Sequence, residues 1–580
     1  MTSEGARRAR SSPRPRRSAV AFLALAGFAL VPLSCTPPKK RHAQDEPRTS
    51  AAGAPSEAGG AAADTPRANP PETSKASVPS AAPTAPEVAS TASSAPPAAA
   101  PASQPSGAVT PQAEATGVFQ RKEADWPMWG GTPARNMVCP LAMAAPTSWD
   151  VATRKNIRWS APLGSRSHGN PVVSGGKVFV GTNNAAPRDP KVLGDKGILL
   201  CLDASDGQLL WQAVHDKLET GAVNDRPEQG ICSSPCVEQN RVYYVSNRAE
   251  LICADIDGYS DGENDGPYTK EKYSSPTDAD FIWVLDMMED LGVFPNAAGA
   301  SSPLIVNDLV YVLTSNGADK DRVTIPAPNA PSFIAVHKLT GEVVWSRNDP
   351  GDKILPSPAS SPSFTAVGGR PQIIFPGVDG WVRAFEPLHG EPIWSFDGNP
   401  KDTISEPGGK GTRNAIVATA ACADGHVYVG VGQDPEYGEG LGHLYSIDAS
   451  KTGDVTESGR TWHVGYKDFR RTVSTVAVIG GLVYAVDLSG FLQCFDQANG
   501  TSYWTHDMLA AVRGSPLWVD DKIYLGDEDG DVAILQAGKE LKVIAEISMG
   551  SSVHSTPVAA GGILYIASRT HLFAIQEEMK

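Results

Sequence analysis

Short apolar segments separated by turn residues dominate the chain from about residue 123 to its end. Segments such as 177–181 (KVFVG) and 309–313 (LVYVL) directly follow the turn pairs Gly-Gly and Asn-Asp, and this region shows no helical apolar period. Strands of this length with turn residues between them are typical of antiparallel sheets. The pattern therefore predicts an all-β body.

A second pattern, Asp-x-x-x-Gly-x-x-x-Trp and close variants of it, recurs within this region. Four segments align without gaps: CLDASDGQLLW, AVHKLTGEVVW, AFEPLHGEPIW and CFDQANGTSYW. The spacing predicts a strand, a tight turn that needs a Gly conformation, and a strand whose Trp docks on a neighbouring unit. With looser copies included, the predicted docking residues are Trp159, Trp211, Trp283, Trp345, Trp394, Trp462 and Trp504.

A short element with Pro in a fixed slot precedes each unit. It reads NPVV, SPCV, SPLI, SPSF, SPLW and TPVA, and Thr419-Ala420 and Thr475-Val476 fill the same slot, which makes eight units. Such units cannot stand alone and close radially. The last unit lacks a Trp strand, whereas residues 157–159 supply one before the first unit. We therefore predict an eight-bladed β-propeller of four-stranded antiparallel blades, closed by this N-terminal strand.

The first 35 residues have the layout of a secretory signal, with six arginines, an apolar run from Ala19 to Leu33 and then Ser34-Cys35. The apolar run is too short for a permanent membrane span. A cysteine in this place is the attachment point of a lipoprotein signal, although Pro32 stands where an aliphatic residue is usual. We predict lipidation at Cys35, with plain cleavage or an uncleaved anchor as the alternatives.

Residues 36–122 consist mainly of Ala, Pro, Ser, Thr and Gly. Such a segment buries too little apolar surface to offset its ordering entropy, so we predict a disordered, semi-extended tether. The predicted organisation is a signal peptide (1–35), a linker (36–122) and a propeller (123–580). We expect an exported protein, periplasmic or associated with an outer membrane.

The chain is acidic, with 50 Lys and Arg against 65 Asp and Glu and a net charge of −15. Without residues 1–34, which hold six Arg and one Glu, the net charge is −20. This balance disfavours nucleic acid or an anionic lipid surface as the main partner. We expect membrane contact only through the N-terminal anchor.

The Trp repeat resembles that of pyrroloquinoline quinone (PQQ) dehydrogenases and of an outer-membrane assembly lipoprotein with the same propeller. The opening DWPMWGGTPARNM is similar to the lead-in of many PQQ-repeat proteins. The resemblance covers about four-fifths of the chain and implies the fold more than the function. A quinoprotein dehydrogenase is expected to hold PQQ and Ca²⁺, but the chain has neither the Cys-Cys pair nor the Cys-x-x-Cys-His motif common in that class. The sequence alone assigns no cofactor; PQQ and Ca²⁺ are those that the resemblance allows.

Several basic residues are expected beside the central channel, just before the innermost strands. Guanidinium groups bind carboxylates in a bidentate manner, so this set predicts an anion-binding funnel, with PQQ as one ligand of that kind. The alternative is that these cations offset acidic loops or cap carbonyl groups. The candidate residues are His168, Arg413, Asn414, Arg471, Arg513 and His554.

The densest acidic run lies in an insertion before Trp283. Oxygen ligands at alternate positions with intervening Gly suit Ca²⁺, but the twelfth position of an EF-hand would be Gly266 or Tyr268 instead of Glu. A solvated acidic loop is the alternative. The candidate ligands are Asp255, Asp257, Asp261, Glu263 and Asp265.

Two functions remain open from the sequence. One is a tethered binding or scaffold module whose partner is an envelope protein or a small anionic ligand. The other is a PQQ-dependent oxidoreductase of the cell envelope, of the alcohol or sugar dehydrogenase type. The sequence identifies no catalytic residue, because no hydrolase, zinc or nucleotide motif stands out.

Overall fold

The structure is a computed structural model, and the predicted signal peptide, including Cys35, and nearly all of the predicted linker lie outside its described residues. The described residues form eight sheets and two short 3-10 helices, Gly258–Asp261 and Gly351–Lys353. Among them, no helix has the length and apolar character that crossing a membrane requires. The described residues are 119, 122, 124–141, 143–218, 225–296, 300–356, 360–406, 411–433 and 440–577.

The first four sheets, blades 1 to 4, each contain four antiparallel strands in chain order. Blade 4 also carries a short parallel strand, Gly453–Asp454, on its fourth strand. The four strands are, for blade 1, Val172–Ser174, Lys177–Asn183, Lys196–Asp203 and Leu209–Asp216; for blade 2, Cys236–Glu238, Arg241–Val245, Glu250–Asp255 and Phe281–Asp286; for blade 3, Leu304–Val306, Leu309–Leu313, Phe333–His337 and Val343–Arg347; and for blade 4, Ser363–Val367, Arg370–Pro376, Trp381–Phe385 and Pro392–Asp397.

Blades 5 to 7 repeat this order, and blade 8 takes its fourth strand from the N-terminal part of the chain. The first strands of blades 1 and 2, of blades 4 and 5, and of blades 5 and 6 contact one another. The strands are, for blade 5, Ala421–Ala423, His426–Gly432, Gly442–Asp448 and Arg460–Val464; for blade 6, Ala477–Ile479, Leu482–Val486, Phe491–Asp496 and Ser502–Asp507; for blade 7, Leu517–Val519, Lys522–Gly526, Asp531–Gln536 and Val543–Ser548; and for blade 8, Val558–Ala560, Ile563–Ala567, His571–Ile575 and the N-terminal Ile157–Pro162.

The ring closes through its two ends, as the sequence predicts. Ile157–Pro162 pairs antiparallel with His571–Ile575, and Trp159 lies opposite Ala574. The predicted eight-bladed propeller with an N-terminal closing strand is therefore confirmed.

Polar residues before the first strands connect neighbouring blades. The backbone N–H of Ser234 donates to Oγ of Ser302, and the N–H of Ser302 donates to Oγ of Ser361, each at 2.9 Å. This explains why a hydroxyl or amide side chain recurs beside the Pro slot, because it satisfies a buried N–H of the preceding blade. The same link joins blades 6, 7, 8 and 1 through Thr475, Ser515, Thr556 and Asn170.

The repeat tryptophans lie between blades. Trp345 of blade 3 donates from Nε1 to the carbonyl oxygen of Pro387 in blade 4 at 2.7 Å, and Gly390 lies against its ring. Trp394 differs, since its indole donates to Gln372 of its own blade. The other indole donors bond to the next blade along: Trp159 to Ala204, Trp211 to Ile256, Trp283 to Lys338, Trp462 to Gln497 and Trp504 to Gly538.

Blade 7 has no Trp in its fourth strand. Ala545 stands opposite Ile534, in the place where blade 6 sets Trp504 opposite Cys494. Trp149, from the chain before blade 1, is buried in the apolar cluster that includes Ala545 and bonds to Met549. An aromatic residue from outside the repeats thus packs beside this blade.

Residues 124–139, which we call the lead-in, follow the inner strands around the channel. The backbone of Ala124 bonds to blade 8, Trp126 to blade 1 and Pro127 to blade 2. Pro133 and Ala134 accept bonds from blades 4 and 5. The circuit ends with Val138–Cys139, which pairs parallel with the first strand of blade 7, and with the Cys139 thiol, which donates to Ala559 of blade 8.

Arg135 lies at the centre of this circuit and is fully buried. Its guanidinium donates to the carbonyl oxygens of Trp129, Ser302, Pro303 and Pro362, at 2.7 to 3.3 Å. Burial lowers its pKa to about 10, so the group stays charged at neutral pH. One side chain therefore joins the lead-in to blades 3 and 4.

Candidate anion-binding site at the channel mouth

The structure brings three of the six predicted mouth residues together where blades 7, 8 and 1 meet. The rings of His168 and His554 stack with centroids 5.2 Å apart and planes inclined by 24°. Arg513 precedes the first strand of blade 7 and is close enough to both imidazoles to lower their pKa values. We call this group, with the residues added below, the mouth cluster.

Three further charged residues belong to the mouth cluster. Arg166 and Arg569 add two guanidinium groups near the histidines. Arg569 is fixed in place, because its Nε donates to the carbonyl oxygen of Ser165 at 2.8 Å. Glu528 is the carboxylate of the group, with Oε1 2.5 Å from Nε of Arg513 and 4.0 Å from Nε2 of His554.

Both imidazoles are neutral near pH 7. Burial, followed by the charges of His554 and Arg513, lowers the pKa of His168 to about 4. The pKa of His554 is also lowered, mainly by burial and then by Arg513, although Glu528 opposes the shift. Nδ1 of His554 is buried and has no hydrogen-bond partner.

The mouth cluster has the chemistry of an anion-binding site. Three guanidinium groups against one carboxylate leave positive charge on the propeller face, while the half-buried neutral histidines supply ring nitrogens. Because the chain as a whole carries −15, this local excess of positive charge is opposite to the net charge. Guanidinium groups in such a setting bind carboxylate or phosphate oxygens.

The other three predicted mouth residues lie elsewhere. Arg413 forms an ion pair with Asp397 at 3.1 Å and donates to the carbonyl oxygen of Asp379, between blades 4 and 5. The N–H of Asn414 donates to Asn399, and its own Oδ1 is buried without a partner. Arg471 packs against Gly440 in blade 5.

A groove of about 610 Å³ lies on a different part of the propeller. Arg347, Trp381, Arg383 and Trp394, from blades 3 and 4, are among the residues that line it. Arg383 is already paired with Asp379 at 2.6 Å. No residue of the mouth cluster lines this groove, so the two features are separate.

The acidic insertion of blade 2 gathers part of the predicted metal set. One carboxylate oxygen from each of Asp255, Asp261 and Asp265 lies within 4.8 Å of the others. Asp257 instead pairs with Lys177 at 2.8 Å. Glu263 is exposed and lies outside the three-carboxylate group.

Four-stranded Trp-repeat blades closed by an N-terminal strand define this chain as a PQQ-repeat β-propeller. It belongs to the family described as outer membrane protein assembly factor BamB, whose sequence profile matches residues 158–282 and 378–577, more than half of the chain. No curated protein sequence matches it.

Two solved structures are similar to this chain at low sequence identity. BamB from Moraxella catarrhalis is 15% identical, with 73% of this chain and 97% of that chain covered and a TM-score of 0.44. The quinohemoprotein alcohol dehydrogenase ADHIIG from Pseudomonas putida HK5 is 14% identical, with 79% and 81% covered and a TM-score of 0.49.

Proposed function

We propose that the protein is an extracytoplasmic binding module whose mouth cluster binds an anionic group of an envelope protein. In this account a lipid on Cys35 and the linker of residues 36–122 hold the propeller near a membrane. The observation that carries the proposal is the set of three arginines, Arg166, Arg513 and Arg569, around two neutral histidines on one face of an acidic protein. Charge complementarity of this kind selects and steers a partner.

The lead-in supports a scaffold role. It bonds to inner strands around the channel, and its Met128, Arg135 and Met137 side chains are fully buried. A propeller held from the inside in this way presents its loops on a rigid support, which lowers the ordering cost of binding. The family name, an assembly factor of the outer membrane, supports a protein partner in the envelope.

A binding experiment tests this proposal. We would immobilise the propeller and apply an envelope extract at increasing ionic strength, comparing wild type with the double variant Arg513→Ala/Arg569→Ala. Arg460→Ala is the matched control, because Arg460 is also exposed and paired with an acid, Glu457, but lies in blade 5. We expect one salt-sensitive partner that the double variant loses and the control retains; a partner retained by all three proteins would refute the role of the mouth.

A PQQ-dependent oxidoreductase is the second candidate, favoured by the same cluster because PQQ carries carboxylates. Its test is incubation with PQQ and Ca²⁺, followed by measurement of quinone absorbance and of dye reduction driven by alcohols or sugars. Retained quinone with turnover would establish the oxidoreductase and displace the binding module. If the protein retains no quinone and shows no turnover, the oxidoreductase is excluded.

A further inference from the structure

The insertion between the third and fourth strands of blade 2 forms a compact acidic loop. Carboxylate oxygens of Asp255, Asp261 and Asp265 approach within 4.8 Å of one another. Two of these carboxylates also accept local backbone bonds, Asp255 from the N–H of Asp257 and Asp261 from the N–H of Glu263. Like charges this close repel unless a cation or protons offset them.

A fourth carboxylate, Asp280, supplies an independent observation. Asp280 is fully buried, and its Oδ1 has no hydrogen-bond partner. Its Oδ2 accepts the N–H of Asp265 at 2.6 Å, and its carbonyl oxygen accepts the N–H of Asp255 at 2.9 Å. A buried carboxylate oxygen without a donor is costly, so its position against two members of the group points to a cation as its partner.

Neighbouring basic groups do not neutralise these carboxylates. Among the ion pairs of the described residues, Lys177 bonds to Asp257 and no Lys or Arg pairs with the other acids of the loop.

We propose that Asp255, Asp261 and Asp265 bind Ca²⁺, beside the buried carboxylate of Asp280. These carboxylates offer hard oxygen ligands, which exclude soft-metal sites, and a loop of irregular backbone suits the larger and more adaptable shell of Ca²⁺ better than the octahedral shell of Mg²⁺. The site is separate from the mouth cluster, so Ca²⁺ binding here is independent of the proposed function.

The ion would stabilise the contact between blades 1 and 2. The insertion covers Trp211 of blade 1, whose indole donates to the carbonyl oxygen of Ile256 at 2.9 Å and whose ring lies against Gly258. Residues 277–279 also bond to the backbone of Gln212 in blade 1. Because Ca²⁺ would bind the folded loop and not the unfolded chain, it would stabilise this junction of blades 1 and 2.

The test is titration of the purified, chelator-treated full chain with Tb³⁺ and Ca²⁺. Tyr259 lies in the same loop and serves as the antenna for Tb³⁺ luminescence. We expect luminescence that Ca²⁺ displaces, and a Tm rise of about 2 to 3 °C at a hundredfold excess of Ca²⁺ over its Kd. Absence of both signals would overturn the proposal.

Variants locate the ion. Asp261→Asn removes an exposed ligand and is expected to fold, while weakening Ca²⁺ binding by about tenfold or more. Glu263→Gln is the matched control, since it removes the same charge two residues away and is expected to bind as wild type does. Equal Kd values for wild type, Asp261→Asn and Asp265→Asn would place the ion elsewhere and refute the assignment.

Discussion

His168 and His554 stack with ring centroids 5.2 Å apart, although one precedes the first strand of blade 1 and the other precedes the first strand of blade 8. Their contact lies at the junction of blades 8 and 1, where Ile157–Pro162 completes blade 8 and Thr556 donates to Asn170. The step that closes the ring therefore also builds the mouth cluster. A change that opens blade 8 is expected to separate these two imidazoles.

The histidine pair predicts a pH dependence of stability. The folded-state pKa of His168 is about 4, whereas a free imidazole titrates near 6.5. Between those values the unfolded chain binds more protons, so the free energy of unfolding falls as pH falls from about 6.5 to about 4. One such group contributes a slope of up to about 1.4 kcal/mol per pH unit. The free energy of unfolding, measured with urea at pH 7.5 to 4, should depend less steeply on pH in His168→Asn than in wild type. An unchanged pH dependence would contradict the prediction.

The Trp contacts predict that two glycines of blade 4 differ in their tolerance of alanine. Gly390 has φ +69°, and a Cβ there would lie 2.7 Å from the Trp345 ring; Gly369 has φ +78° but open space around it. Both variants lose about 1 kcal/mol to backbone strain, and Gly390→Ala loses about 1 to 3 kcal/mol more from overpacking. Chemical denaturation compares the two. Equal losses would show that the Trp does not dock tightly on the turn.

The buried hydrogen bonds of Arg135 predict that the lead-in is part of the folded unit. Arg135→Met removes donors to four carbonyl oxygens and is expected to lower the free energy of unfolding by about 3 to 5 kcal/mol. Arg135→Lys keeps the charge but not the planar fork, so it should restore only part of the loss. Limited proteolysis should cut the Met variant first within residues 124–139. Wild-type stability and protease resistance in the Met variant would contradict this role.

Repeats made the propeller predictable, because eight copies of one strand and turn pattern specify eight similar blades. The closing strand was also predictable, since Trp159 supplies the strand that the last copy lacks. The path of the lead-in was not, because it has no repeat and no periodicity. Nor does the sequence of this Gly-rich and Pro-rich segment indicate that Arg135 is buried.

The sequence predicted the mouth only in part. His168, Arg513 and His554 could be found from their position before the Pro slots, whereas Arg166, Glu528 and Arg569 were missed. Glu528 and Arg569 each stand two residues after the second strand of their blades, 7 and 8, and that shared position was an available signal. Asp280 was missed because TDADFIW looks like the start of a strand, and burial of its carboxylate depends on how the insertion folds back.

The most direct test of the central claim is photocrosslinking in cells from position 166, at the exposed edge of the mouth cluster. The account predicts one predominant adduct with an envelope protein, lost when Arg513 and Arg569 are replaced by Ala and absent when the crosslinker stands at position 460 in blade 5. An adduct that persists without both arginines, or none from position 166 while one forms from 460, would contradict binding at the mouth.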